Sequence, residues 1–302
     1  MEGAFGTQPA AGSGADEQPL RHEPEEGDRS HSPAPGWSPW LAPIALILGL
    51  AMALVGGAIV DLPAAALGAN LSGKHFPAGL TVVDTVIQDL AFIGGAVYCA
   101  KLGGRVVRSW QFGLRAPAAG WRSAARMIVL LLLAFVILNV VWAEAFQPER
   151  DHVLNELGSN EGQLLLIASA ALTCVVAPIC EEFLFRGFIF TALREWRGTL
   201  PAAIISGLVF GGVHAGSAPA LDLLPLAALG FGLCLLYRHT GSLYPGIVAH
   251  SLNNSIAFAS LEGWGWQAPV LIVASIAAIA AIVTVCAQAG LVGPLRLPRV
   301  DP

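Results

Sequence analysis

A chain of 302 residues that is 55% hydrophobic and only 12% charged, with a mean hydropathy of +0.65, is too apolar for a soluble globular protein. Its formal charge of −5 says nothing about a nucleic-acid partner, because residues 1–36 hold seven acidic and two basic side chains and the remainder is balanced. Five cysteines (Cys99, Cys174, Cys180, Cys234 and Cys286) lie in or beside apolar segments without Cys-x-x-Cys spacing, which fits packing residues rather than a metal or redox motif.

Residues 1–36 are rich in Gly, Pro, Ala, Ser and acidic residues, without periodicity, and are expected to form a disordered acidic tail. The tail does not read as a secretory signal, since the first apolar run starts near residue 40 behind acidic rather than basic residues. Apolar runs that span a bilayer, or nearly so, follow at 40–60, 80–100, 127–142, 164–193, 200–216, 221–237, 243–259 and 268–292. The third is short and is expected to begin a turn earlier, near Ala124. The reading is an all-α polytopic membrane protein, a bundle of about eight transmembrane helices. It divides into the tail, helices 1–3 over 37–160, a core of helices 4–7 over 161–260, and helix 8 with a short tail over 261–302.

Loops set the expected orientation. The segment 101–126 carries six basic residues and no acidic one, as a cytoplasmic loop does, whereas 143–162 holds five acidic residues against Arg150 alone. Both termini are therefore expected in the cytoplasm.

The fourth run contains Glu181-Glu182-Phe183-Leu184-Phe185-Arg186. Even lenient insertion scales put an acidic or basic residue at a membrane-helix centre at roughly 2.5–3.5 kcal/mol, so three of them in six residues need a reason. Glu182 and Arg186, four apart, share a helical face and can pair. Glu181 is turned about 100° away and is left for chemistry. Asp84, Gln88 and Asp89 in the second run, and Asp222 at the sixth, read instead as hydrogen-bonded glue or a helix cap.

Two more polar groups punctuate the later helices: Phe210-Gly-Gly-Val-His214 in the fifth, and His250-Ser-Leu-Asn-Asn254 in the seventh. If helices 4 and 5 turn near Arg197, Glu181 lies 16 residues before the turn and His214 lies 17 after it, so both sit at nearly one depth. Peptide hydrolysis needs a base for water and donors for the oxyanion. Glu181 is the candidate base, His214 could share the water or hold Glu181, and His250 with Asn254 could offer two N–H donors. Gly211, Gly212 and Gly216 would let a helix or a substrate backbone approach closely.

The ordered trio Glu-Glu-x-x-x-Arg, Phe-x-x-x-His and His-x-x-x-Asn on successive helices resembles the CPBP (CAAX protease and bacteriocin-processing, or Abi) intramembrane endopeptidases, over roughly 164–259. It is similar in this to the type II CAAX prenyl protease. The resemblance implies water activation by Glu181 and His214, an oxyanion hole of His250 and Asn254, and support from Glu182 and Arg186. It implies a membrane-embedded protein or peptide substrate, and no cofactor. A zinc enzyme on the same residues would use Glu181, His214 and His250 as ligands, although no His-Glu-x-x-His stands on one helix. A proton-coupled transporter also uses buried Glu, His and Asn, and a non-catalytic scaffold could retain them. Few lysines among much Ala, Gly, Leu and Arg point to a bacterial plasma membrane.

Overall fold

The computed structural model describes residues 35–72, 76–102, 104–146 and 162–293. The acidic tail falls outside them except for Pro35 and Gly36, whose carbonyls accept from Arg105 Nη1 at 3.1 and 2.6 Å. The acidic loop from residue 147 onward and the C-terminal tail also lie outside them.

Among the described residues there are eight helices and no strand: α1 (Leu41–Ala66), α2 (Ala78–Lys101), α3 (Gly120–Phe146), α4 (Gly162–Arg197), α5 (Thr199–Val213), α6 (Leu223–Thr240), α7 (Tyr244–Leu261) and α8 (Gln267–Gln288). Short 3₁₀ turns stand at Ser109–Phe112 and Ala220–Asp222. All except α5 and α7 are long and apolar enough to cross a membrane, which makes the chain an integral, multi-pass membrane protein. In hydrocarbon the backbone must satisfy itself, so these apolar runs have no alternative to the helix. Side chains such as Ile47, Leu54, Val129 and Val273 point outward and are exposed, as lipid-facing residues are.

Several boundaries differ from the sequence reading. Helix α3 starts at Gly120 and reaches Phe146, so a run that looked short is a 27-residue helix and carries Arg122 and Arg126. Helix α5 ends at Val213 rather than Gly216, where the chain turns through Gly216 at φ +99°. The basic loop is also more than a connection. Its 3₁₀ turn stacks Phe112 on Phe183 with ring centroids 4.4 Å apart, and Leu243 N donates to Gly113 O at 2.9 Å, so the loop closes one end of the bundle.

Helix α4 is the axis of the fold. Leu184, Phe185, Phe188 and Phe190 have no exposure, and α1, α2, α5, α6 and α7 all pack against it. Two stretches of α4 are π-helical, Leu172–Val176 and Phe183–Phe190, and these bracket the Glu181-Glu182 pair. Each has a local cause, because a side chain captures a carbonyl released from the regular ladder. Ser251 Oγ donates to Cys174 O at 2.6 Å, and Thr191 Oγ1 donates to Arg186 O at 3.0 Å.

Helices α5 and α6 pack through Gly207 and Gly211. A Cβ on Gly207 would lie 2.7 Å from Ala227 O, and one on Gly211 would run into Leu223 O. Both neighbours are backbone and cannot step aside. Gly211→Ala is therefore expected to destabilise by about 1–3 kcal/mol. Gly212→Ala, with open space within 4 Å, should not lower the unfolding midpoint in detergent. Equal midpoints for the two variants would contradict this packing.

Candidate active site

Glu181 to Arg186 stand on α4 at mid-length, and what sequence spacing suggested for the pair is what the helix builds. Arg186 Nη1 donates to Glu182 Oε1 at 2.7 Å, with neither side chain exposed. Arg186 Nη2 donates to Gly230 O at 3.0 Å, and the guanidinium carbon lies 4.5 Å from the Phe210 ring centre. A buried ion pair is best tolerated when its remaining hydrogen-bonding capacity is met, and here backbone and an aromatic face meet part of it, with Arg186 Nε and Glu182 Oε2 left without a partner.

The pair holds His250. His250 Nδ1 donates to Glu182 Oε1 at 3.2 Å, which leaves Nε2 facing Glu181 Oε2 at 3.8 Å. Gly246 makes this possible, since a Cβ there would come 2.7 Å from Glu182 Oε2. The imidazole is thus fixed between two carboxylates by a chain of contacts that begins at Gly230.

Glu181 itself faces space. It lines a cavity of ≈500 Å³ with His214, Asn253, Asn254, Gln88 and Thr85, its side chain keeps 13% exposure, and Oε2 has no hydrogen-bond partner. His214, at the C-cap of α5, bonds Phe210 O through Nδ1 at 2.8 Å. A carbonyl only accepts, so Nδ1 carries a proton and Nε2 is the nitrogen left for other partners. The Phe-x-x-x-His spacing thereby acquires a reason. Phe210 supplies the carbonyl that sets His214, and its ring packs 5.0 Å from that imidazole and 5.6 Å from His250.

Asn254 Nδ2 donates to Thr173 O at 3.0 Å, within the first π-helical stretch, and its Oδ1 accepts from Asn253 Nδ2 at 3.3 Å. The carboxamide is held from both sides with one N–H to spare.

Glu181, His214 and Asn254 therefore share one cavity wall, while His250 is buried behind it. No direct hydrogen bond links Glu181 to His214. Of the three glycines, Gly211 serves α5–α6 packing, whereas Gly212 and Gly216 face open space. Asp222 stands at the N-cap position of α6.

Three features went unread in the sequence: Asn253, the carbonyl of Thr173, and the place of Gln88 on the cavity wall. Hydrogen-bonded glue does not describe α2 either. Asp89 is 1% exposed with neither carboxylate oxygen bonded, and Asp84 Oδ1 is also without a partner. Their signal was present as polar residues in an apolar helix, but spacing alone does not say which of them meets a cavity.

Residues 163–256 match the family described as type II CAAX prenyl endopeptidase Rce1-like. Over 92 residues the chain is 38% identical to the putative membrane peptidase YdiL of Bacillus subtilis (strain 168), a match covering 30% of this chain and 35% of that protein. It is 22% identical over 161 residues to the UPF0177 protein YxdF of Lactococcus lactis subsp. lactis (strain IL1403), covering 51% of this chain and 88% of the relative. It is also 27% identical over 195 residues to aquaporin TIP2-1 of Arabidopsis thaliana, 56% of this chain and 72% of the relative. No solved structure matches. The chain spans about a third of the length of YdiL. The segment that resembles the Rce1-like type II CAAX prenyl endopeptidases, 163–256, is thus the one that carries Glu181, Glu182, Arg186, His214, His250 and Asn254.

Proposed function

We propose that the protein is an intramembrane endopeptidase that cleaves a membrane-embedded protein or peptide with water activated by Glu181. The observation that carries this reading is a carboxylate, Glu181, that keeps 13% exposure on the wall of a cavity within an apolar bundle, a wall it shares with His214. A carboxylate in that position accepts a proton from water, and His214 Nε2 is the free nitrogen that can hold the same water. Attack on the scissile carbonyl develops an oxyanion. The spare N–H of Asn254 receives it, while His250, buried behind the wall with Nε2 facing Glu181, stands back from the oxyanion role that the family resemblance implies for it. Glu181 then returns the proton to the leaving amine. Glu182 and Arg186 act through His250 by fixing its ring.

The proposed chemistry needs no metal. A zinc enzyme on the same chain would instead use Glu181, His214 and His250 as ligands, and its activity would be lost to a chelator. The orientation, with both termini in the cytoplasm of a bacterial cell, rests on the charge of the loops.

Transport has one observation in its favour, the likeness to aquaporin TIP2-1. A permeation path needs polar lining from face to face. On the Arg197 side of Glu181, α4 instead buries Phe185, Phe188 and Phe190 without exposure.

Asn254→Ala tests the oxyanion role. The expected result is a fall in kcat of about 100- to 1000-fold, the usual cost of one lost donor, with KM and the unfolding midpoint retained. An unchanged kcat would leave Asn254 as a clasp on Thr173 alone.

A further inference from the structure

A second cavity, ≈510 Å³, lies between α1 and α2 and shares Leu50 and Gln88 with the Glu181 cavity, so the two adjoin. Its polar lining is Asp61 on α1 with Asp84 and Gln88 on α2, set against Gly57 and Ala58. Each aspartate has a buried Oδ1 without a hydrogen-bond partner. Neither helix can supply a cation. Helix α1 has no basic residue, and the only one on α2, Lys101, is its last residue, roughly 25 Å along the axis from Asp84. Carboxylates within a membrane-spanning hairpin normally face a counter-ion or a functional cavity. Here they face a groove that adjoins the cavity of the proposed base.

We propose that this groove is a substrate subsite for a basic side chain, Lys or Arg, of the peptide being cleaved. The proposal rests on the peptidase reading and names its substrate class: a membrane-associated chain with a cationic residue close to the scissile bond. Gln88, common to both cavities, stands four residues from Asp84 on the same helix face, a rise of about 6 Å. An extended chain advances about 3.3 Å per residue. Reaching Asp84 from the wall shared at Gln88 therefore takes about two residues of extended chain. A long aliphatic stem would lie along Leu50, Gly57 and Ala58 while its charged end meets Asp61 and Asp84.

The test uses the full chain in detergent and a fluorescein-labelled alanine–leucine peptide that carries either two Lys or two Gln. The wild type and Glu181→Gln should both bind the Lys peptide about tenfold more tightly than its Gln counterpart, as a charge-assisted contact shielded from water does. That preference should vanish in Asp61→Asn/Asp84→Asn, and Asp84→Lys should turn it toward a Glu peptide. Equal affinities in the wild type, or a preference kept by the double variant, would overturn the proposal. Cleavage is scored in parallel on reporters with Lys or Gln close to the cut. Cleavage that ignores the basic residue removes the subsite and leaves the peptidase. A binding preference in a protein that cuts nothing removes the peptidase and leaves the subsite.

Discussion

Glu181→Gln should abolish cleavage, with a loss of about 10²–10⁴-fold from the missing proton acceptor, while the protein keeps its fold. The substitution is nearly isosteric and changes one oxygen that has no hydrogen-bond partner to lose. Nothing in the Glu182–Arg186–His250 chain depends on Glu181 for a hydrogen bond, so the unfolding midpoint in detergent should not fall. Removal of a charge from the bundle works in the same direction. If activity persists in this variant, the base is elsewhere. Were activity and fold lost together, Glu181 would be a structural residue.

Arg186→Ala should have the opposite signature, a large loss of stability. Its guanidinium joins Glu182, Gly230 O and the Phe210 ring with no exposure at all. Truncation leaves a buried carboxylate beside an empty volume. Removing one partner of a buried ion pair typically costs about 3–5 kcal/mol. Glu182 also fixes His250, so activity should fall with stability. A double change, Arg186→Leu with Glu182→Gln, removes both charges together and should recover much of the stability but not the activity. Thermal unfolding of purified variants measures this. Normal stability with dead activity in Arg186→Ala would make the pair part of the chemistry rather than its support.

The contrast between these variants marks what could be read from the sequence. The Glu182–Arg186 contact follows from a four-residue spacing, which keeps the two side chains on one face even though the turn enters the second π-helical stretch. Glu181 and His214 reach the same cavity because helical rise is nearly constant, so residues counted from a turn become depth. Three further features depend on neighbouring elements and leave no periodic trace. The π-helical stretches exist because Ser251 and Thr191 take carbonyls that regular helix would retain. The grip on Asn254 requires α7 to lie against the first stretch, so that Thr173 O is within reach. Gln88 and Asp84 looked like glue because a polar residue in an apolar helix has the same appearance whether it meets a partner or a cavity. The 3₁₀ turn of Ser109–Phe112 was hidden for another reason. A single aromatic residue, Phe112, docks it, and one residue makes no pattern.

The most direct test of the central claim is cleavage of a membrane-anchored reporter library by the purified full-length protein, wild type against Glu181→Gln, each with and without a strong chelator. The account predicts cleavage by the wild type, indifferent to the chelator, and none by the variant. Cleavage that the chelator stops and zinc restores would contradict it, since Glu181 would then be a metal ligand rather than the base that activates water.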